Sequence, residues 1–500
     1  MIALVSIVSK FRDIEDKTRP PMGLLYVGGA LRRAGYDVRI FHIFERQIDE
    51  TIERIAGLDP LFVGFSLFTG YPCFTSATMS ERLKRRLPET PIVWGGIHPS
   101  LSPHECLRED FIDYVVIGEG ELTAVELARA IERRADLKGV DGIGYKEDGV
   151  PRLTAERTKL TDLDAHPLDW SLIDPCDYVR RSSDDQKGMC FITSRGCPYS
   201  CGFCYNKAFH NCRWRAHSPE YVLRKVLEFR EATGITRITF DDDHFMVNVK
   251  RGFEILTSLE RVGILCNWLE LRLEAITEEN LARLRDLGVK RIFFGWESGS
   301  NRVLKLIDKR FTREVILEKC RLMAGFPEIG YDASAIIGFP TETWAEVLET
   351  VDTALEMSRI LPNVNFNLGT YMPYPTGTEL HRLAVAAGFV PPARVSGWKD
   401  FDIVEGRIRL DWLPWAGAKT KRTFSLIDSY GHYLDRSIYL APGSTPVKTL
   451  VKKALYHLAR LRLERRFFAL PFEVSFQHWW VRRNILKNLA RFAGDGRKDT

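Results

Sequence analysis

Nowhere does this 500-residue chain hold the uninterrupted apolar run of about eighteen or more residues that a bilayer-crossing helix needs. No segment is therefore expected to span a membrane. The amino terminus, MIALVSIVSKF, lacks a basic leader and a small-residue cleavage site, so it reads as a first strand rather than a secretion signal. Disulfide spacing is also missing. Apart from one closely spaced trio, Cys73, Cys106, Cys176, Cys190, Cys212, Cys266 and Cys320 are scattered, which points to a reducing, cytoplasmic compartment. Acidic residues are scarce at one end only: residues 447–500 hold 13 Lys/Arg against 4 Asp/Glu, while the whole chain is +5. The remainder is net acidic, and the basic character belongs to the tail.

The trio is Cys197, Cys201 and Cys204, in the stretch CFITSRGCPYSCGFCY of residues 190–205. The loop follows a strand-like apolar run and carries Gly196, Pro198 and Gly202. A cubane [4Fe–4S] cluster takes four ligands, so three thiolates leave one iron open. Structural zinc closes its shell with four, and His210 or Cys212 is the nearest candidate for a fourth. A third reading has the cysteines packing as small apolar groups.

In residues 1–145, apolar runs at 2–8, 38–44, 61–68, 91–96 and 113–121 alternate with helix-like stretches such as LLYVGGALRRAG (24–35) and one near 76–87. That alternation predicts a doubly wound parallel sheet, whose ligands sit at the carboxyl ends of the strands. The loops expected there hold Ser66 to Thr69, then Gly95, Gly96 and His98, then Gly118, Glu119, Gly120 and Glu121. Residues 146–185, rich in Pro and Asp, read as a connector. From 186 to 400 the strand–helix unit recurs about six times, predicting a partial (β/α)6 barrel with its chemistry at the strand ends. Asp241, Asp242 and Asp243, Arg272 and Glu274, Gly295 to Ser300 and Ile337 to Thr343 all fall at such ends. Clustered carboxylates at 241–243 also suit a hard cation such as Mg²⁺ or Ca²⁺.

Together the cysteine trio and these strand-end motifs resemble the radical S-adenosylmethionine (SAM) enzymes. The segments PPMGLLYVGGALRRAGYDV, VGFSLFT, VWGGIHPS and VIGEGE resemble the amino-terminal domain of the class that also binds cobalamin. The resemblance implies an α/β chain: a Rossmann-like cobalamin domain over 1–145, a connector, a radical SAM half-barrel over 186–400, and a helical region over 401–500. It implies that Cys197, Cys201 and Cys204 hold the cluster. SAM contacts are expected from Tyr205, Asp242, Arg272, Glu274, Glu297, Ser298, Gly338 and Pro340. Cobalamin contacts are expected from Ser66, Thr69, Gly95, Gly96, His98, Gly118, Glu119, Gly120 and Glu121. The D-x-H-x-x-G sequence that supplies a cobalt ligand in many cobalamin proteins is absent, and His98 is expected at the corrin periphery rather than on cobalt.

The activity so implied is methylation of an unactivated carbon in a hydrophobic or secondary-metabolite substrate, through a 5′-deoxyadenosyl radical and methylcobalamin. The alternatives are a non-methylating oxidative cyclase or rearrangement enzyme acting on a tetrapyrrole, lipid or isoprenoid, and a non-catalytic cobalamin or iron–sulfur sensor. A flavodoxin or ferredoxin is expected as electron donor. In the tail, Val447, Leu450, Val451, Ala454, Leu455, Leu458 and Leu461 line one helical face amid lysines and arginines. Such a helix suits peripheral contact, over residues 447–492, with the inner face of a membrane, or packing on the barrel. No recognisable RNA-binding module accompanies it, and no nucleic-acid partner is expected.

Overall fold

The computed structural model describes residues 1–8, 19–181, 186–373, 376–401, 403–404, 407–408, 410–435, 446–469 and 471–474. Its first sheet contains β1 (Ile2–Val8), β2 (Val38–Phe44), β3 (Val63–Ser66), β4 (Ile92–Gly95), β5 (Tyr114–Val116), β6 (Ile143–Glu147) and β7 (Val150–Leu153). Strand order is β2-β1-β3-β4-β5-β6-β7, the first five parallel and the last two antiparallel. β1 reads IALVSIV and is mostly buried along its length, as a strand covered on both faces must be. Helices Met22–Arg33, Ile48–Ala56, Tyr71–Arg86 and Gly120–Arg133 connect these strands. Order reverses between β1 and β3, so a crevice opens at their carboxyl ends. The sheet runs on past residue 145, because that position lies inside β6.

β8 (Arg180–Arg181) and β9 (Lys187–Phe191) begin a second sheet. β10 (Ser194–Arg195) and β11 (Arg215–Ala216) form a separate antiparallel ribbon. β12 (Arg237–Phe240), β13 (Leu265–Leu271), β14 (Arg291–Glu297), β15 (Gly330–Ile337) and β16 (Val364–Thr370) complete the sheet. Six strands from β9 to β16 pair in parallel in chain order, and β8 adds an antiparallel edge. Local sequence sets the helix starts: Ser218 accepts from the Tyr221 amide, and Thr343 and Glu346 form a reciprocal capping box. The result is the expected half-barrel.

Residues after β16 fold back over both sheets. Val395–Asp400 packs on the helix Tyr71–Arg86, with Arg394 paired to the buried Glu109. The helix Pro446–Glu464 packs against helices Trp344–Ile360 and Ala418–Gly431. It buries Tyr456, Ala459 and Leu463, not the face read from sequence. Leu450, Val451 and Leu461 of that face stay exposed, by 69%, 49% and 52%; the Val447 side chain lies outside the described residues. The helix is apolar on two sides, and the side chosen brings Arg462 to Glu473 and Tyr430, which share a buried network. No helix among the described residues is long and apolar enough to cross a membrane.

Candidate active site

The ribbon β10–β11 ties off the base of the cysteine loop. Gly196, at its start, has φ +83°, and a Cβ there would lie 2.2 Å from the Arg213 carbonyl. Only glycine fits. Gly202 N donates to Ile307 O and Cys204 N to Cys201 O, so the loop is held by one bond within itself and one to the end of the helix Asn301–Leu306. Burial pushes the Cys197 thiol up to about 11 and the Cys204 thiol up to about 12. Around the sulfurs stand polar donors: Arg272 Nη1 is 3.2 Å from Cys201 Sγ, and Asn206 Nδ2 is 3.5 Å from Cys204 Sγ. No three His, Cys, Asp or Glu side chains among the described residues gather around a point that could hold one metal ion. This gives a single zinc no preformed cage. Two buried cysteines and one partly exposed cysteine beside cationic and amide donors fit a cluster, whose irons each take a different thiolate.

Carboxylates collect beside this loop at the ends of β12, β13 and β14. Tyr205 donates its hydroxyl to Asp243 at 3.0 Å. Burial raises the Asp243 carboxyl, and burial followed by the charge of Asp243 lifts that of Glu270 well above the usual range. Glu297 sits with φ +64°, a conformation that costs a non-glycine residue on the order of 1–3 kcal/mol. Its carboxylate is 3.0 Å from Lys309 Nζ, both side chains being buried, and Lys309 also donates to Gly295 O at 3.2 Å. Arg272 lies 3.7 Å above the Tyr199 ring and donates to Glu274 at 2.9 Å. Its Nε is buried without a partner.

Two residues expected to touch a ligand face elsewhere. Asp242 is fully buried and accepts from Thr193 N, Thr193 Oγ1 and Ser194 Oγ; burial pushes it up to about 6. It fastens the end of β12 to the segment leading into the cysteine loop, and its neighbour Asp243 is the one that faces the site. Both lie in the loop just past β12, where the Thr193–Ser194 segment claims one side chain and the Tyr205 hydroxyl the other. Ser298 is likewise buried, its hydroxyl engaged with Thr350 Oγ1 and the Ser300 amide. Gly338 has φ +85°, and a Cβ there would lie 3.0 Å from the Phe424 ring. Glu342 accepts from the Gly338 and Phe339 amides and holds the loop around Pro340, while burial pushes its carboxyl up to about 8. Asp243 was read from sequence only as part of the acidic run 241–243, and Glu270 and Lys309 were not singled out, because pairing across strand ends leaves no local pattern.

At the carboxyl ends of the first sheet, Gly96 has φ +97° and approaches the backbone of Leu67 so closely that a Cβ would sit 2.7 Å from its carbonyl. Ser66 flanks the same contact, and Gly95 ends β4. Gly118, φ +84°, faces open space at a cavity of about 350 Å³ bounded by Ser100, Leu122, Leu160 and Phe209. This glycine-lined hollow lies between the first sheet and the helix Tyr205–His210, and it can accept a bulky group. Gly120 instead packs beneath Val27, where a Cβ would meet its side chain at 3.0 Å.

His98, Glu119 and Glu121 do not face that hollow freely. His98 is buried, 3.2 Å from Thr69 Oγ1 and edge-on to Trp398, and burial lowers it to about 4. Glu119 bonds Arg195 at 3.1 Å and Arg215 at 2.7 Å, and Glu121 bonds Arg195 at 2.5 Å. Burial raises Glu119, but these guanidiniums outweigh it and hold its carboxyl down to about 2. The pairs join the β5 loop of the first sheet to the two strands of the cysteine ribbon, so the acidic residues tie domain to domain.

Comparison with known proteins follows the same division. The B12 binding domain family matches residues 17–128, and the Radical SAM superfamily matches residues 191–354. An uncharacterized methyltransferase of Pyrococcus horikoshii is 30% identical over 82% of this chain and 87% of its own length. The anaerobic magnesium-protoporphyrin IX monomethyl ester cyclase of Synechocystis is 31% identical over 62% of this chain and 63% of its own length. Among solved structures, the cobalamin-dependent SAM radical enzyme OxsB, with aqua-cobalamin and SAM bound, superposes with a TM-score of 0.66 at 17% identity, covering 99% of this chain and 81% of that one.

Proposed function

Because the chain belongs to the cobalamin-dependent radical SAM enzymes, we propose that it methylates an unactivated carbon of an apolar small molecule. The Pyrococcus relative, a methyltransferase by name, supports this reading. So does the seam of Arg195 and Arg215 with Glu119 and Glu121, which holds the first-sheet crevice against the cysteine loop. When bound, the cluster supplies the electron that cleaves SAM, and the cobalamin carries the methyl group.

The chain's own residues bind, orient and exclude water. Cys197, Cys201 and Cys204 hold three irons, and Arg272 lays positive charge against the Cys201 sulfur. Tyr205, Asp243, Glu270 and the Glu297–Lys309 pair, clustered beside the cysteine loop, are the residues that would hold SAM, with Glu274 at the half-exposed edge. Gly338 and Pro340 shape the adenine side. Ser66, Thr69, Gly95, Gly96 and Gly118, at the carboxyl ends of the first sheet, would hold the corrinoid. Asp242, Ser298, His98, Glu119, Gly120 and Glu121 act one step away, as positioning residues. For the substrate, partly exposed Phe203 and Trp415 continue through Phe339 and Tyr371 as an aromatic wall beside the cysteine loop, which favours an apolar partner.

The cyclase relative supports a second reading, oxidation without methyl transfer. Methyl-deuterated SAM separates the two. After anaerobic reconstitution with iron, sulfide and cobalamin, the methylation reading expects about one cobalt and four irons per chain and deuterium in the product. Deoxyadenosine formed with no label transferred would establish the cyclase reading, and four irons without cobalt would overturn the cobalamin-dependent one.

A further inference from the structure

The helix Pro446–Glu464 spends one side on packing and keeps a second apolar side bare. Leu450, Ala454 and Leu461 are spaced by four and seven residues, so they fall on one line along the helix. All three are exposed, and Val451 lies beside them. The bare surface continues past the helix. Phe467 and Phe472, 52% and 69% exposed, flank the buried Arg462 guanidinium at 5.3 and 5.6 Å. Phe468 packs edge-on to Trp344 at 6.5 Å, and Trp344 opens the helix that follows the Gly338–Thr343 loop. An apolar surface therefore runs from the outside of the half-barrel to the rim of its mouth.

Large apolar side chains of this kind seldom cluster on the surface of a free monomer. The charge around them selects the partner. Exposed Arg465 adjoins Phe467, with Arg466 next to it paired to Asp352, and in the sequence the last 54 residues carry nine more positive than negative charges. Exposed apolar residues beside cations, on a strongly basic stretch of sequence, match an anionic bilayer surface.

We propose that this surface docks on anionic lipid, seating the mouth of the half-barrel against the membrane. Such docking is independent of which reaction the enzyme performs.

The test is sedimentation of the reconstituted full chain with vesicles of phosphatidylglycerol and phosphatidylcholine, against vesicles of phosphatidylcholine alone. The wild type is expected to partition at least tenfold more strongly onto the anionic vesicles, and to release them as salt is raised. The double variant Leu450→Asp/Leu461→Asp should lose at least tenfold of that binding, with iron content and circular dichroism unchanged. Arg465→Glu should weaken it too. Equal binding by wild type and the double variant, or no wild-type binding at low salt, overturns the proposal. A wild-type dimer that the double variant dissociates, with no vesicle binding in either, overturns it in favour of a second copy of the chain.

Discussion

At the scale of single residues, the site depends on groups whose conformation or charge is costly by itself. Glu297 is held in a left-handed conformation and buried, and Lys309 supplies its counter-charge. Replacing Lys309 by Met leaves a buried carboxylate unpaired, at a cost of roughly 3–5 kcal/mol. Lys309→Met is expected to lower the melting temperature and to cut deoxyadenosine formation by at least tenfold, both measured on reconstituted protein. Gly196 is constrained in another way, because a Cβ would collide with the Arg213 carbonyl. Gly196→Ala should fold, judged by far-ultraviolet circular dichroism, yet retain less than half the wild-type iron. Full iron loading would show that the loop relaxes around the added methyl. The cysteine trio was legible without any structure, since its spacing is local. Asp242 and Asp243 show the limit: both stand in one acidic run, and only the path of the loop after β12 and the partners it meets decide that Asp242 braces the Thr193–Ser194 segment while Asp243 meets Tyr205.

Among elements, the seam between the β5 loop and the β10–β11 ribbon is the main device. Glu119 titrates normally near 4.5 and in the folded chain near 2. A lowered carboxylate contributes stability that is fully present above 4.5 and is lost as pH falls toward 2. The shift corresponds to at most about 3 kcal/mol. Glu119→Gln should therefore be less stable than wild type in urea at pH 7, and the difference should shrink between pH 4.5 and pH 2. A constant difference across that window would mean that Glu119 contributes packing and not charge. The main alternating strands and helices of both units followed from periodicity, but β7, β8 and the β10–β11 ribbon did not, and neither did the seam: Glu119 and Arg215 are 96 residues apart, and nothing local links them.

Over the whole molecule, the chain closes on itself. After passing through the half-barrel it returns to the first sheet at Val395–Asp400, where Trp398 donates to Glu105 at 2.7 Å and meets His98 and Phe401. Trp398→Ala opens a cavity at that junction and is expected to cost about 3–5 kcal/mol. Limited proteolysis should then cut between the two sheet domains at least tenfold faster, and cobalamin should be lost on gel filtration. Unchanged proteolysis would place the domain contact in the charged seam alone.

Sequence alone determined the two α/β units, their order and the cysteine loop, because each is written in short-range spacing: strand–helix alternation, glycines at strand ends, and three cysteines within eight residues; the three cofactors followed from the resemblance of those motifs to known families. Tertiary structure alone decided which polar residues at those strand ends are claimed by distant partners and hold the frame. His98, Glu119, Glu121, Asp242 and Ser298 stand at the expected positions, yet partners from distant segments claim their side chains. The tail helix obeys the same rule. Its sequence offers two apolar sides, and only the shape of the half-barrel determines which is buried.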